Sequence, residues 1–141
     1  MLTPESIENV AKIWYRKLDV HAPKEELTAL VIDEGLEMVF PEATVYGWEG
    51  FLGWYDAVIN IFFDEEHTVK SVVPEITGDT ATVKVVVEWK ASVWKKPAAN
   101  SERIECDAYQ TWEVKSDGKG GALVTKYIVD EIKYHEGSAT L

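Results

Sequence analysis

Across residues 81–93 the side chains alternate with the period of a β-strand: Val83, Val85, Val87 and Trp89 share one parity, and Lys84, Glu88 and Lys90 take the other. A period of two sends the first set to one face of a sheet and the second set to the opposite face, so the segment needs an apolar partner layer on one side only. The pattern extends to its neighbours. Residues 68–76 lead through a turn at Gly78-Asp79 into this strand, and a polar loop at 95–101 leads out to a further strand at 104–115. A glycine-rich turn at 117–121 then opens a last strand at 123–132. Short turns between consecutive strands predict an antiparallel meander.

The layer that covers the apolar face comes from the first half of the chain. Thr3-Pro4-Glu5 supplies a capping hydroxyl, a proline for the first helical position and an acid for the first turn. Ile7, Val10, Ala11, Trp14 and Leu18 then recur at helical spacing, which predicts a helix to about Leu18. Ala22-Pro23-Lys24-Glu25-Glu26 opens a shorter one carrying Leu27, Leu30 and Val31, which Asp33-Glu34-Gly35 ends. Leu36, Met38 and Phe40 read as a short strand stopped by Pro41. From Gly47 the pattern is helical again, with Phe51, Trp54, Tyr55, Val58, Ile61 and Phe62 forming a broad apolar face. Helices first and strands afterwards predict an α+β fold with helices on one face of the sheet.

The length of 141 residues leaves room for one domain, residues 1–141, with a flexible tail expected at about 134–141. The formal net charge of −11 repels phosphate backbones and anionic surfaces, which argues against nucleic acid and membranes as partners. No charge-free stretch exceeds the seven residues 57–63, against the ~20 apolar residues of a spanning helix. The start of the chain shows no basic segment followed by an apolar one, so a cytoplasmic protein is expected. The single cysteine, Cys106, makes no internal disulfide and builds no thiolate metal site. The histidines His21, His67 and His135 lack metal-ligand spacing, so neither a catalytic metal nor a cofactor is expected. Six Trp and six Tyr are the unusual entry.

The order of helix, helix, short strand, Tyr46-Gly47-Trp48, aromatic helix and long meander resembles the nuclear transport factor 2-like superfamily, and within it the SnoaL-like, polyketide-cyclase-like group. Phe40-Pro41, Trp54-Tyr55, Phe63-Asp64-Glu65-Glu66-His67 and Asp107-Ala108-Tyr109-Gln110-Thr111-Trp112 carry the resemblance, which covers nearly the whole chain. It implies a cone-shaped, cystatin-like α+β fold, with a curved sheet around the aromatic helix, an internal pocket and, in many members, a homodimer. It does not imply one activity, since the fold hosts cyclases, dehydratases, isomerases and non-catalytic binders. Steroid-isomerase-like members keep an acidic base on the first strand, where this chain has Met38, Val39 and Phe40, and an acid on the penultimate strand, where it has Gln110. Scytalone dehydratase and the hexachlorocyclohexane dehydrochlorinase use an Asp just after the first helix and a His that begins the strand after the third; Asp19 and His67 stand in those places.

A carboxylate beside an imidazole fixes the ring tautomer, and the free nitrogen can take a proton from carbon at neutral pH. Asp19 and His67 are therefore the candidate catalytic pair of a small acid–base enzyme, of dehydratase, cyclase or isomerase type, acting on an apolar cyclic carbonyl compound. The plainer alternative is a solvated acid at a helix end and an exposed imidazole among Asp64, Glu65 and Glu66. His21 is a rival for the proton-transfer role, or a cation favouring the helix C-terminus, and His135 reads as solvated tail. Tyr15, Trp54, Tyr55, Phe62, Trp89, Gln110, Trp112 and Tyr127 are the candidate residues for a small apolar or aromatic ligand, with a purely structural core as the alternative. Gln110 is the one polar exception on the inward row Ile104, Cys106, Ala108, Trp112, Val114, so its amide either bonds neighbouring rings or orients a ligand oxygen. In the last strand the row with Leu123, Thr125, Tyr127 and Val129 is taken as inward. Two other functions stand beside the enzyme: a non-catalytic binder of hydrophobic small molecules, and a homodimeric interaction domain using an outward face that includes Val86 and Ile128.

Overall fold

The Thr3 hydroxyl accepts the Ser6 N–H at 3.0 Å and the Ser6 hydroxyl accepts the Thr3 N–H at 3.0 Å. Pro4 fills the first helical position, where an N–H would lack a partner. In the computed structural model, which describes residues 1–141, helix α1 runs over Pro4–Asp19 and buries Ile7, Val10, Ala11, Trp14, Tyr15 and Leu18. Helix α2 covers only Lys24–Thr28. It stops short of Val31 because that residue is drawn into a parallel bridge with Val124.

The remaining elements are β1 (Glu37–Val39), β2 (Thr44–Tyr46), α3 (Gly47–Ile61), β3 (Phe62–Thr77), β4 (Thr80–Val93), β5 (Glu102–Ser116) and β6 (Ala122–Tyr134). The four long strands form the expected antiparallel meander. The sheet as a whole is mixed, in the order β2-β1-β6-β5-β4-β3, because β1 pairs in parallel with β6, Met38 opposite Tyr127. That pairing, and the three-residue β2 beside it, have no local signature in the sequence. Helix α3 presents Phe51 and Tyr55 fully to the core, but Ile61 is half exposed and Phe62 already belongs to β3, so the helical face is one turn shorter than its spacing suggests.

Aromatic rings join the layers. Trp14 of α1 lies 5.4 Å from Phe51 of α3, 6.4 Å from Trp112 of β5 and 5.6 Å from Tyr127 of β6, centroid to centroid. Trp14 and Trp112 are fully buried, and a ring of this size contributes several kcal/mol through lost water contact and dense packing, with truncation costing about 3–5 kcal/mol. The indole N–H of Trp14 has no hydrogen-bond partner.

The inward rows of β4 and β5 follow the sequence alternation, with Val83, Val85 and Val87 opposite Trp112, Gln110 and Ala108. In β6 the alternation breaks. Glu113 pairs with Lys126 but Val114 with Val124, so Thr125 is an extra residue and both Val124 and Tyr127 face the core. The expected inward row is thus right for Tyr127 and Val129, while Leu123 and Thr125 are displaced by the bulge. A similar bulge opens β3: Phe63 pairs with Ser92 and Glu66 with Lys90. Asp64, in the left-handed region at φ 50, lies inside it. The phase change puts Phe62, Glu65 and His67 on the same, concave side.

The chain after β6 stays against β5. His135 N–H donates to the Glu105 carbonyl at 2.9 Å, and Ala139 N–H to that of Arg103 at 3.0 Å. No helix is long and apolar enough to cross a membrane.

Candidate active site

Tyr15 and Asp19 lie four residues apart on α1 and so share a helix face, and that face crosses the start of β3. One carboxylate oxygen of Asp19 accepts the backbone N–H of His67 at 3.0 Å, and the other meets His67 Nδ1 at 2.5 Å. An ionised carboxylate only accepts, so Nδ1 carries the proton in this contact and Nε2 is left as the basic nitrogen. The imidazole is sandwiched by rings, Tyr15 at 4.9 Å and Trp89 at 6.1 Å. Its side chain is 9% exposed and that of Asp19 21%. The solvated alternative for this pair does not hold.

A second acid–imidazole contact lies beside it. His21, two residues past the end of α1 and left-handed at φ 50, brings Nε2 to 2.5 Å from Glu65 Oε2. The other Glu65 oxygen accepts the Trp89 indole N–H at 3.2 Å. Glu65 is 2% exposed, whereas a plain reading of the acidic run 64–66 leaves it in solvent. The signal that could have found it is its spacing of two from His67, which puts both side chains on one face of the strand.

His67 and Glu65 both line a cavity of about 320 Å³ on the concave side of the sheet. Leu18 of α1, Phe40 of β1's end, Trp54 and Val58 of α3, and Val87, Trp89, Ala108, Gln110, Tyr127, Val129 and Ile132 of β4 to β6 complete most of the wall, and Leu141 reaches it too. Phe40 and Trp54 stack at 4.3 Å. The volume suits a small, mostly apolar ligand.

Of the candidate ligand-binding residues, Trp54, Phe62, Trp89, Gln110 and Tyr127 line this cavity. Tyr15, Tyr55 and Trp112 do not; they are fully buried behind it. The Tyr15 hydroxyl donates to Gln110 Oε1 at 2.6 Å and the Trp112 indole to the same oxygen at 2.9 Å. Of the two roles its position allowed, the structure shows the first: its carbonyl oxygen holds two core rings, while Gln110 also lines the cavity. Tyr55 donates to the Ala22 carbonyl at 2.6 Å, fixing the bend that carries His21.

Electrostatics keep the phenols neutral. Burial pushes Tyr15 well above the ordinary phenol value, reinforced by Tyr127, and burial likewise raises Tyr127. Tyr55 is pushed up to about 12 by burial and then by Glu65, Asp56 and Glu26. Burial, then Asp107, raises the Cys106 thiol to about 11, which leaves it no nucleophile at neutral pH.

Glu88, Asp107 and His135 come together on the convex face, with ligand atoms within 4.8 Å of one another. Three separate strands and strand ends deliver them, so no spacing in the sequence announces the group. His135 Nε2 lies 3.1 Å from Asp107 and is therefore no free tail residue. Lys70 Nζ, also 3.1 Å from Asp107, already balances the carboxylates.

No protein-family model matches the sequence, and no curated protein does. Among solved structures, the hexachlorocyclohexane dehydrochlorinase LinA-type3 from Novosphingobium barchaimii is 17% identical with a TM-score of 0.75, over 97% of this chain and 92% of that one. A scytalone dehydratase-like protein from Novosphingobium aromaticivorans is 18% identical at TM-score 0.73, over 96% and 90%. A cystatin-like protein from Nostoc punctiforme is 15% identical at TM-score 0.74, over 99% and 98%. The fold is the α+β, cystatin-like cone that these structures share. Within that cone, the curved sheet is β3 to β6 with β1 and β2 on one edge, and the cavity described above occupies its hollow.

Proposed function

We propose that the chain is a small acid–base enzyme whose active site is the cavity at His67. Asp19 holds the imidazole by Nδ1, and Nε2 removes a proton from a carbon next to the carbonyl of an apolar, cyclic substrate. The Gln110 amide nitrogen donates to the carbonyl oxygen as it gains charge, while Phe40, Trp54 and Trp89 hold the ring. The observation that carries this reading is the double contact of Asp19, with the backbone N–H and Nδ1 of the same His67. Such a clamp fixes tautomer and ring orientation together, which general-base catalysis needs and core packing does not. Elimination, isomerisation and cyclisation all start with this step. The dehydrochlorinase and dehydratase names among proteins of the same fold support this class of chemistry.

The test is deuterium exchange at the α-carbons of 3-hydroxycyclohexanone, followed by NMR in D2O. The wild-type chain should accelerate exchange, and His67→Gln should lower that acceleration by ~10²–10⁴. Equal exchange in the two would refute the role of His67. The stacked Phe40–Trp54 pair favours a second reading, a binder without turnover; ligand affinity that survives His67→Gln but falls with Trp89→Ala, and no exchange, would select it.

A further inference from the structure

Glu65 is a carboxylate with 2% exposure in the wall of an apolar cavity. Burying such a group requires that both oxygens find donors, and both do, in His21 and Trp89. A structural staple between the end of α1 and β3 would account for an ion pair here, but a staple has no need to face the cavity. Glu65 faces it in phase with His67, two residues on along the same ladder, and the bulge at Asp64 brings Phe62 round to the same side. The chain's two left-handed non-glycine residues, His21 and Asp64, flank the contact: one is a partner itself and the other precedes Glu65. Backbone strain of this kind persists where the surrounding structure over-determines it, and gathers at sites that work. Exposure is graded along the contact as well, 29% for His21 and 2% for Glu65, so one end of the pair meets solvent and the other meets the cavity.

We infer that Glu65 is a second proton-transferring residue of this cavity, the donor to a leaving group, and that His21 is the positioning residue that refills it from solvent. The inference rests on the acid–base reading above and narrows the substrate class to β-hydroxy carbonyl compounds, whose leaving oxygen needs a proton. His67 Nε2 takes the α-proton, and the C–H electrons form the carbon–carbon double bond. The C–O bond breaks with its electron pair on oxygen. That oxygen takes the proton shared by His21 Nε2 and Glu65 Oε2 and departs as water. His67 then returns its proton to solvent and His21 takes one up, so the cycle closes with no net change in the protein. Two positions apart on one strand, Glu65 and His67 address neighbouring atoms of a single ligand, as removal of H and OH from adjacent carbons demands.

The experiment follows α-exchange and loss of water together on one probe, 3-hydroxycyclohexanone, by NMR in D2O and by ultraviolet absorption of the enone. In Glu65→Gln the ratio of dehydration to exchange should fall by ~10² or more, the scale of a lost acid. In His67→Gln both rates should fall together. In His21→Ala dehydration should fall in kcat with little change in KM, and added imidazole should restore it, which a structural role would not allow. An unchanged ratio in Glu65→Gln, or an equal loss of both rates, overturns the inference and leaves the His67 reading standing. If Glu65→Gln fails to fold, the imidazole rescue of His21→Ala decides, and its absence counts against. No exchange by the wild-type chain refutes the reading of His67, and this inference falls with it.

Discussion

Replacing Asp19 by Asn sets two donors in competition for one oxygen. In the native chain each carboxylate oxygen has its own donor, the His67 backbone N–H at 3.0 Å and Nδ1–H at 2.5 Å. Asn keeps one carbonyl oxygen and turns the other position into an NH2 donor. The backbone amide cannot give up its proton, but the imidazole can change tautomer, so the oxygen stays with the backbone and the NH2 faces Nδ1. The ring proton then moves to Nε2, the nitrogen on which catalysis depends. Both hydrogen bonds survive in neutral form, and since charge-assisted bonds are roughly twice as strong, the cost to stability should be only about 1–2 kcal/mol. For a chain of this length that lowers Tm by about 3–8 °C. The acceleration of α-exchange should fall much further, by ~10³, because the base is silenced. Nitrogen NMR of the imidazole reads the tautomer without any substrate. A His67 ring still protonated at Nδ1 in Asp19→Asn, or exchange lowered no more than stability, would refute this account of what Asp19 does.

Gln110→Leu should destabilise the chain by about 2–5 kcal/mol in urea titrations, since it strips the acceptor from both Tyr15 and Trp112; Gln110→Glu, which keeps an oxygen there, should cost less. Cys106, fully buried with its thiol raised to about 11, should stay silent to a disulfide reagent at pH 8 until urea unfolds the chain. Asp107 is held below the ordinary carboxylate range: desolvation opposes this, but hydrogen bonds from Lys70 and His135 outweigh it. Its contribution is therefore present above the unfolded value of about 4 and is lost as pH falls through the depressed folded value. Asp107→Asn should flatten that acid limb in melts taken from pH 5 downward.

Most of the architecture was legible because it is written locally. The Ile7 to Leu18 stripe, the Thr3-Pro4 start and the alternation around Val83 to Trp89 each depend on neighbours a few positions away. The β1–β6 pairing and the three bridging residues of β2 depend on partners elsewhere in the chain, and composition does not encode them. Asp19 and His67 were legible through a resemblance. Glu65 was not, because the alternation reads as a strand only from Thr68 whereas β3 starts at Phe62, so Glu65 and His67, two apart on one face, stood in what read as an acidic turn. The aromatic residues show another limit. Tyr15, Tyr55 and Trp112 have the same chemistry as Trp54, Trp89 and Tyr127, and only the packing decides which rings form the wall and which stand behind it.

The parallel pairing of Glu37–Val39 with β6 also bears on the order of synthesis. A ribosome releases β1 long before Lys126, Tyr127 and Ile128 exist to receive it, so a nascent chain carries Met38 without its strand partner until β6 has been made. Contacts this distant in sequence make assembly slow and tie it to completion of the C-terminal strand. A transcript truncated before β6 would yield an adhesive fragment, never a smaller working cone.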